Sequence, residues 1–345
     1  MHIALPDIQN VLIIKPSAIG DVVHTLPVLG LLRERFPSAR ISWLVTPACA
    51  GLLDGHPMLH EVIRFDRKGF GSGWKKPAKL IELARFTNEL ADRKFDLVLD
   101  LQGLLRSGWL ARATGAAVRV GFANARECAP VFYTHRVPID GVDQHAIDRY
   151  LKLAAAVGCR VPEKVEFPFA TDDTDRRSVT DMLGETGAFA VLLPGTNWAT
   201  KRWPASYFAA LVEPLRARHG LRTVLAGGTD VAALSEQIPV DLNLAGRTTL
   251  RQLTALLERA TVVVANDSGP MHIAAALGRP LVTLFGPTNP VRTGPFGRPD
   301  TVLRLNLPCS PCYSRRCSHQ SCLTWLTPDA VLHAIESQLA TYRVR

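Results

Sequence analysis

The stretch KPSAIGDVVHTLP, residues 15 to 27, places a lone carboxylate, Asp21, just past an apolar run and at the opening of a helical pattern. A carboxylate fixed there can take a proton from an attacking hydroxyl, which is the work of a general base. A helix N-terminus also keeps such a group ionised, and the same residue can serve as a plain helix cap. His24, one helical turn on, is the nearest substitute base. A second stretch, LLPGTNWATKRWP (192–204), sets Thr196, Thr200 and Lys201 after an apolar run and ahead of Trp203-Pro204, which opens a helix. An ammonium together with free helix N–H groups suits a leaving group that develops negative charge. LAGGTD (225–230) ends in Asp230, a carboxylate able to bind a ribose hydroxyl. NDSGPMH (266–272) puts Asp267, Ser268 and Gly269 in the turn before a helix that begins at Pro270, with His272 in its first turn. Ser268 or Asp267 can simply cap that helix. Each of these turns is ambiguous alone, because a glycine-containing turn after a strand is more often turn chemistry than a phosphate cradle.

The elements that must position these residues follow from periodicity. Short apolar runs at 11–15, 40–45, 61–65, 96–101 and 118–122 alternate with helical patterns such as VVHTLPVLGLLRERF and AKLIELARFTNELADRK. Pro27 falls near the start of the first helix, where a missing N–H is least harmful. A second series begins near residue 188: FAVLLPG, LRTVLAGG, VDLNLAG, TVVVAND and PLVTLFG. Strand, helix, strand at this spacing predicts parallel sheets covered on both faces, an α/β fold. Residues 160–178, with two prolines and a charge-rich end, read as the linker between two domains. Two doubly wound domains would face across a cleft, with ligands at the C-terminal ends of the strands.

The bulk numbers narrow the classes. At 345 residues the chain has room for two domains. No apolar run is long enough to span a bilayer, and MHIALPDIQN lacks the features of a signal peptide; the expected location is the cytoplasm. The net charge of +9 suits anionic partners. Residues 64–79, RFDRKGFGSGWKKPAK, carry six basic side chains against Asp66 alone, either a solvated loop or a binding arm. Of seven cysteines, Cys49, Cys128 and Cys159 are scattered, while Cys309, Cys312, Cys317 and Cys322 fall together with His319 among them. The first of these spacings suits zinc, the second pair is atypical, and cytosolic disulfides are improbable. The expectation is reduced thiols and no metal.

In combination the motifs resemble one family. KPSAIGDVVHTLP, DLQGLLRS at 100–107, NAREC at 124–128, TKRWP at 200–204 and NDSGPMH at 266–272 are similar, in this order, to the bacterial lipopolysaccharide heptosyltransferases, glycosyltransferases of the GT-B fold. The likeness covers nearly the whole chain and is much less specific for the acceptor. It implies an inverting glycosyltransferase that uses ADP-heptose as donor and lipid A bearing Kdo sugars as acceptor, with no metal or cofactor needed for chemistry. It implies Asp21 as the catalytic base and Lys201 at the diphosphate, with Thr196 and Thr200 nearby; relatives carry Thr-Thr where this chain has Thr196-Asn197. It implies that Asp267 meets heptose hydroxyls, that Ser268, Gly269 and His272 belong to the same donor turn, and that Asp230 lies at the ribose. For the phosphorylated acceptor, Lys15, Ser17, Gln102, Arg106, Arg126 and the basic stretch 64–79 are the candidates. The implied domains are an acceptor-binding 1–170 and a nucleotide-sugar-binding 180–327, with a final helix within 328–345 packing back on the first. The enzyme would work peripherally at the cytoplasmic membrane surface, on the inner face of the inner membrane.

Two other classes fit parts of the sequence. A sugar-nucleotide epimerase on the same two-domain plan would release a changed nucleotide sugar without any acceptor. A basic, metal-containing nucleic-acid-binding protein would use the charge and the cysteines, but aromatics are few and no stacking motif or recognition helix is present. Nucleic acid is not an expected partner.

Overall fold

Runs such as VLII and VVVA are apolar on both faces, so they are stable only where helices cover both sides of a sheet. The computed structural model describes residues 3–66, 77–139, 141, 143–184 and 187–343; residues 67–76 of the basic stretch lie outside the described residues. The chain divides into two units, 1–170 and 171–345. In the first, β1 (Asn10–Ile14), β2 (Arg40–Val45), β3 (Glu61–Arg64), β4 (Leu97–Asp100), β5 (Val118–Phe122) and β6 (His135–Val137) form a parallel sheet in the order β3-β2-β1-β4-β5-β6. In the second, β7 (Phe189–Leu193), β8 (Arg222–Leu225), β9 (Leu242–Asn243), β10 (Val262–Asn266), β11 (Leu281–Phe285) and β12 (Val302–Arg304) follow the order β12-β11-β10-β7-β8-β9. Numbered within its own unit, each sheet runs 3-2-1-4-5-6, the doubly wound order that places ligands where the winding reverses. Those points are the ends of β1 and β4 and the ends of β7 and β10.

The expected strands are all present, and β6 and β12 extend them. The opening helical pattern is two helices, Ile19–Val23 and Leu26–Arg35, with Pro27 in the first turn of the second. Only part of the predicted linker is irregular. Residues 160–172 carry neither helix nor strand, but 173–183 form a helix, which corrects the linker reading of 173–178. The acidic run that looks like solvated linker caps this helix. Asp172 accepts the Thr174 and Asp175 N–H groups at 2.8 and 3.0 Å, and Asp175 accepts the Asp172 N–H at 3.1 Å. Arg251 then ion-pairs both carboxylates.

The final helix, Pro328–Arg343, is a second correction. Val331, Leu332 and Ile335 belong to the core of the second unit, with Trp203, Phe208 and Leu284. The helix packs on the helix Ala205–His219 and on β10 and β11. Trp203 anchors the approach: it is buried, donates its indole N–H to the Leu326 carbonyl at 2.7 Å and meets Phe208 edge-on at 4.9 Å. The helix thus buries its apolar face on its own unit. Among the described residues no helix is long and apolar enough to cross a membrane.

In the first unit the turn after β4 is set by Asp100. It is fully buried and accepts the Gln102 and Gly103 N–H groups and, at 2.6 Å, the Tyr133 hydroxyl. Gly121 on β5 makes room for that tyrosine, since a Cβ there would lie 2.3 Å from the ring. Gly121→Ala should therefore displace Tyr133 from Asp100 and lower stability by about 1–3 kcal/mol, the range for overpacking. Urea unfolding with an unchanged midpoint would contradict this seating of the ring.

Candidate functional site

Asp21 sits three residues into the helix Ile19–Val23, and its two oxygens have separate tasks. Oδ2 accepts the Ala18 N–H at 3.0 Å, so the capping reading is correct as far as it goes. Oδ1 accepts the Tyr150 hydroxyl at 3.1 Å and pairs with the Lys15 ammonium at 3.2 Å. The Asp21 side chain remains 41 % exposed, while that of Lys15 is 4 % exposed. Burial disfavours the Asp21 anion, but the Lys15 charge and the Ala18 N–H outweigh it and hold the carboxyl below its ordinary value. Burial likewise works against charged Lys15, and Asp21 and Tyr150 reverse that and raise it. Burial, with Asp21 beside it, pushes the Tyr150 hydroxyl up to about 12, so it stays a donor at neutral pH.

This geometry changes the reading of Lys15. Its ammonium donates to the Leu101 carbonyl at 3.0 Å and to Tyr150 at 2.6 Å, and it pairs with Asp21. Three hydrogens therefore have three partners. These contacts hold Lys15 against Asp21. Tyr150 was not singled out by motif; its signal was a tyrosine on the buried face of a helical pattern, since a buried hydroxyl needs a polar partner.

The other first-unit candidates lie around the same strand ends. Ser17 is half-buried in the loop between β1 and the Asp21 helix. The Arg126 N–H donates to the Gly103 carbonyl at 3.1 Å, which sets exposed Arg126 against the loop of Gln102. Gly103 has φ +67° and would bring a Cβ within 3.3 Å of Ala125, so this close pairing of loops requires glycine. Arg106 is exposed at the start of the helix Leu105–Ala113. Gln102 Oε1, Gln144 Oε1 and Arg149 Nε are buried without a protein partner, and buried polar groups of this kind call for one. Arg149 lies over the Phe122 ring at the end of β5. His24 is buried, with its ring edge-on to His145 at 5.0 Å. A hollow lined by Pro6, Arg35, Phe36 and Gly158 lies away from these strand ends and contains none of the candidates.

In the second unit Lys201 Nζ pairs with Asp267 Oδ2 at 2.7 Å, and Thr288 donates to the same oxygen at 2.5 Å. Thr196 donates to the Asp267 carbonyl at 3.1 Å. Asn266 locks the turns after β7 and β10 together, donating to the Pro194 carbonyl and accepting the Trp203 N–H. Ser268 occupies the cap position of the helix Gly269–Ala276 but makes no capping bond, and its hydroxyl is buried without a partner. The helix start is thus left open to an anion. His272 is buried in its first turn. Asp230 is exposed beyond the end of β8, near enough to Gly195 that a Cβ there would lie 3.1 Å from its carboxylate. That is the place, after the second strand of a doubly wound unit, where a carboxylate meets ribose.

Thr200 departs from expectation. It is buried and donates to the Ser314 carbonyl at 2.8 Å, so its hydroxyl holds the cysteine-rich segment. That segment folds over the end of β11: Ser310 donates to the Gly286 carbonyl at 2.6 Å and the Tyr313 N–H to Pro287 at 2.8 Å. It carries Arg315 to 4.7 Å over the Trp198 ring, which Lys201 also approaches at 4.7 Å. Arg315 carries no motif of its own in the sequence, where it lies among cysteines at spacings that point to metal, and only packing brings it to Trp198. Cys309 and Cys312 are exposed, and burial, followed by the neighbouring thiols, pushes the Cys322 thiol up. Among the described residues, no three His, Cys, Asp or Glu side chains are grouped as metal ligands.

Comparison with known proteins agrees with this geometry. The sequence profile of glycosyltransferase family 9 (heptosyltransferase) matches residues 83–323. Lipopolysaccharide heptosyltransferase 1 of Pseudomonas aeruginosa is 33% identical, over 96% of this chain and 98% of its own length. Among solved structures, the E. coli heptosyltransferase WaaC with ADP superposes with a TM-score of 0.78 at 28% identity, over 96% of this chain and 100% of that one. The same enzyme with ADP-2-deoxy-2-fluoro heptose gives 0.77 at 28% identity, over 95% and 99%.

The Lys15–Asp21 pair yields a pH prediction. A carboxyl depressed on folding adds stability that is present above its ordinary value and is lost as pH falls through the depressed one. Lys15→Met removes the cation and leaves burial dominant, so Asp21 no longer lies below its ordinary value and its share of the acid loss should disappear: the variant should be less stable than the wild type at neutral pH, with the gap narrowing as pH falls. Melting midpoints across the acid range that fall in parallel for both proteins would refute the coupling.

Proposed function

The chain belongs to glycosyltransferase family 9, the heptosyltransferases, and on that premise we propose that it moves a heptose from ADP-heptose to the Kdo-bearing inner core of lipopolysaccharide, inverting the sugar's anomeric carbon. The second unit holds the donor and the first the acceptor. The acceptor hydroxyl attacks the anomeric carbon as the bond to the diphosphate breaks; its proton goes to Asp21, and ADP leaves. Asp21 Oδ1 already accepts from Lys15 and Tyr150, which makes it a weak base. Proton transfer is then late, when the sugar has oxocarbenium character and the hydroxyl has become acidic.

The observation that carries this reading is the chemistry at the two winding points. One holds an ionised carboxylate; the other holds Lys201 beside an uncapped helix start. Lys201, with Arg315 on the other contact of Trp198, meets the charge that grows on the departing diphosphate. Asp267, 2.7 Å from Lys201, falls where heptose hydroxyls adjoin the phosphate, and Ser268 and the Gly269 turn face the same group. Asp230 takes the ribose. Gln102, Arg106 and Arg126, with Ser17, receive the phosphorylated acceptor. Because that acceptor is anchored in lipid, the enzyme works at the cytoplasmic surface of the inner membrane.

Asp21→Asn keeps the side-chain size and the acceptor for the Ala18 N–H, and donor affinity should persist; because it also leaves the Lys15 ammonium without its counter-charge, the melting midpoint of the variant serves as the control for folding. Turnover should fall by about 10²–10⁴, the usual contribution of a positioned base. Near-normal turnover at saturating acceptor would return Asp21 to the role of helix cap.

Lys201→Ala should weaken ADP binding by about 1.5–3 kcal/mol, the value of a charge-assisted hydrogen bond. Since it also leaves Asp267 without its cation, the melting midpoint of the ligand-free variant serves as the control. Titration calorimetry showing wild-type ADP affinity in a folded variant would remove Lys201 from the diphosphate.

A further inference from the structure

Large apolar side chains left in water are expected singly, and a group of them on one face needs a reason. Of nine large hydrophobic residues exposed among the described residues, five come from three neighbouring elements of the first unit: Leu80 and Ile81, Leu105 and Trp109, and Val131, at 36–65 % exposure. The remaining four are scattered along the chain. The helix Pro77–Asp92 packs beside the helix Leu105–Ala113, and the latter packs on the short turn Ala129–Phe132. The second contact is close: a Cβ on Gly108 would lie 3.0 Å from the Ala129 carbonyl and 3.0 Å from the Phe132 ring. Glu127 adds a bond by accepting the Leu105 N–H at 3.3 Å.

The topology puts these side chains at one edge. In a parallel sheet each helix after a strand starts at the strand's C-terminal end and runs back. The first turns of both helices, with Leu80, Ile81 and Leu105, therefore lie at the end of the sheet that carries Asp21. Along the helix Leu105–Ala113 the exposed positions are Leu105, Arg106, Trp109 and Arg112, a stripe at helical spacing that alternates apolar and basic groups. Arg126 and Arg136 are exposed next to Val131 in sequence, with Glu127 as the acid among them. Trp flanked by Arg on an amphipathic face is the composition that settles into the headgroup layer of an anionic membrane.

We propose that this face, built on Leu105, Trp109 and Val131 and bordered by arginines, docks the first unit on an anionic lipid surface. It thereby presents the Asp21 edge to a saccharide that rises from that surface. The inference deepens the reading above, since it takes the acceptor to be lipid-anchored, yet lipid binding can be measured without turnover. Charge complementarity commits the occupant: the patch joins apolar groups to arginines in a chain of net charge +9.

The test is co-sedimentation of the full chain with phosphatidylcholine vesicles, with and without phosphatidylglycerol, at low and high salt. The wild type should bind the anionic vesicles at low salt, and salt should weaken binding. Leu105→Gln combined with Trp109→Gln, both good helix formers at exposed positions, should reduce binding about tenfold or more, as expected for loss of two inserted apolar side chains. Val131→Gln, in a separate element, should act in the same direction. Turnover on a delipidated, water-soluble acceptor should be unchanged in all three proteins, while turnover on vesicle-embedded acceptor should fall with binding. Wild-type protein that ignores anionic vesicles, or variants that bind them as well as the wild type does, would overturn the docking face. So would variants that lose turnover on the soluble acceptor, because the residues would then belong to the acceptor site. Vesicle binding that behaves as expected, in a protein that transfers no heptose, would leave the face standing and refute the function instead.

Discussion

The buried ammonium of Lys15 is the constraint on which the first unit's site depends. Taking such a charge out of water costs several kcal/mol unless it is paired and hydrogen-bonded. The register of β1 against β4 pairs Ile14 with Asp100, so Lys15 emerges beside Leu101 and takes its carbonyl as one acceptor. The helix Ala146–Ala156 supplies Tyr150 and the helix Ile19–Val23 supplies Asp21. Three segments, two of them far from Lys15 in sequence, converge on its nitrogen. Shifting any one of them leaves a charge or hydroxyl unpaired in a buried place, so the carboxylate is held by the fold itself.

The same economy of partners shapes the loops that follow β4 and β5. Asp100 closes its own turn and holds Tyr133, and Gly121 leaves space for that ring. Gly103 then lets the next loop approach closely enough for Arg126 to hydrogen-bond to it. Gln102, whose Oε1 is left without a protein partner, has its backbone fixed by these contacts. Rigid backbone with unsatisfied polar ends is what a recognition surface requires, because donors and acceptors placed before binding lose little entropy on meeting a ligand.

Much of this was legible in the sequence, for identifiable reasons. Apolar runs such as VLII and VVVA can only be buried strands, and the turns after them had to carry the chemistry. Asp21, Lys201 and Asp267 stood out because they lie in those turns. Tyr150 and Arg315 did not, because each reaches its place through tertiary packing: one from a helix more than a hundred residues away from Asp21, the other from a cysteine-rich segment draped over β11. Lys15 was seen but read by charge alone, and its three partners tie it to Asp21. The final helix was placed by analogy with a two-domain plan, and the burial of Val331, Leu332 and Ile335 on the second unit's own core decided otherwise.

Both units use the same strand order, and at the equivalent winding point each holds a lysine–aspartate pair, but with the polarity inverted. In the first the lysine is the buried member, 4 % exposed behind an Asp21 that is 41 % exposed. In the second the aspartate is buried, 6 % exposed behind a Lys201 that is 17 % exposed. A buried cation behind an accessible carboxylate keeps that carboxylate ionised, so that it can receive a proton. A buried carboxylate behind a more accessible cation holds that cation in place and leaves it able to meet an anion. Transfer of a sugar from a diphosphate to a hydroxyl needs one of each: a proton acceptor on the side of the nucleophile and a charge acceptor on the side of the leaving group. The pairing also supplies each counter-charge from within its own unit, so neither site needs the other to stay charged and correctly oriented. One fold, used twice with a lysine and an aspartate exchanged in depth, supplies the two charge environments that the proposed transfer calls for.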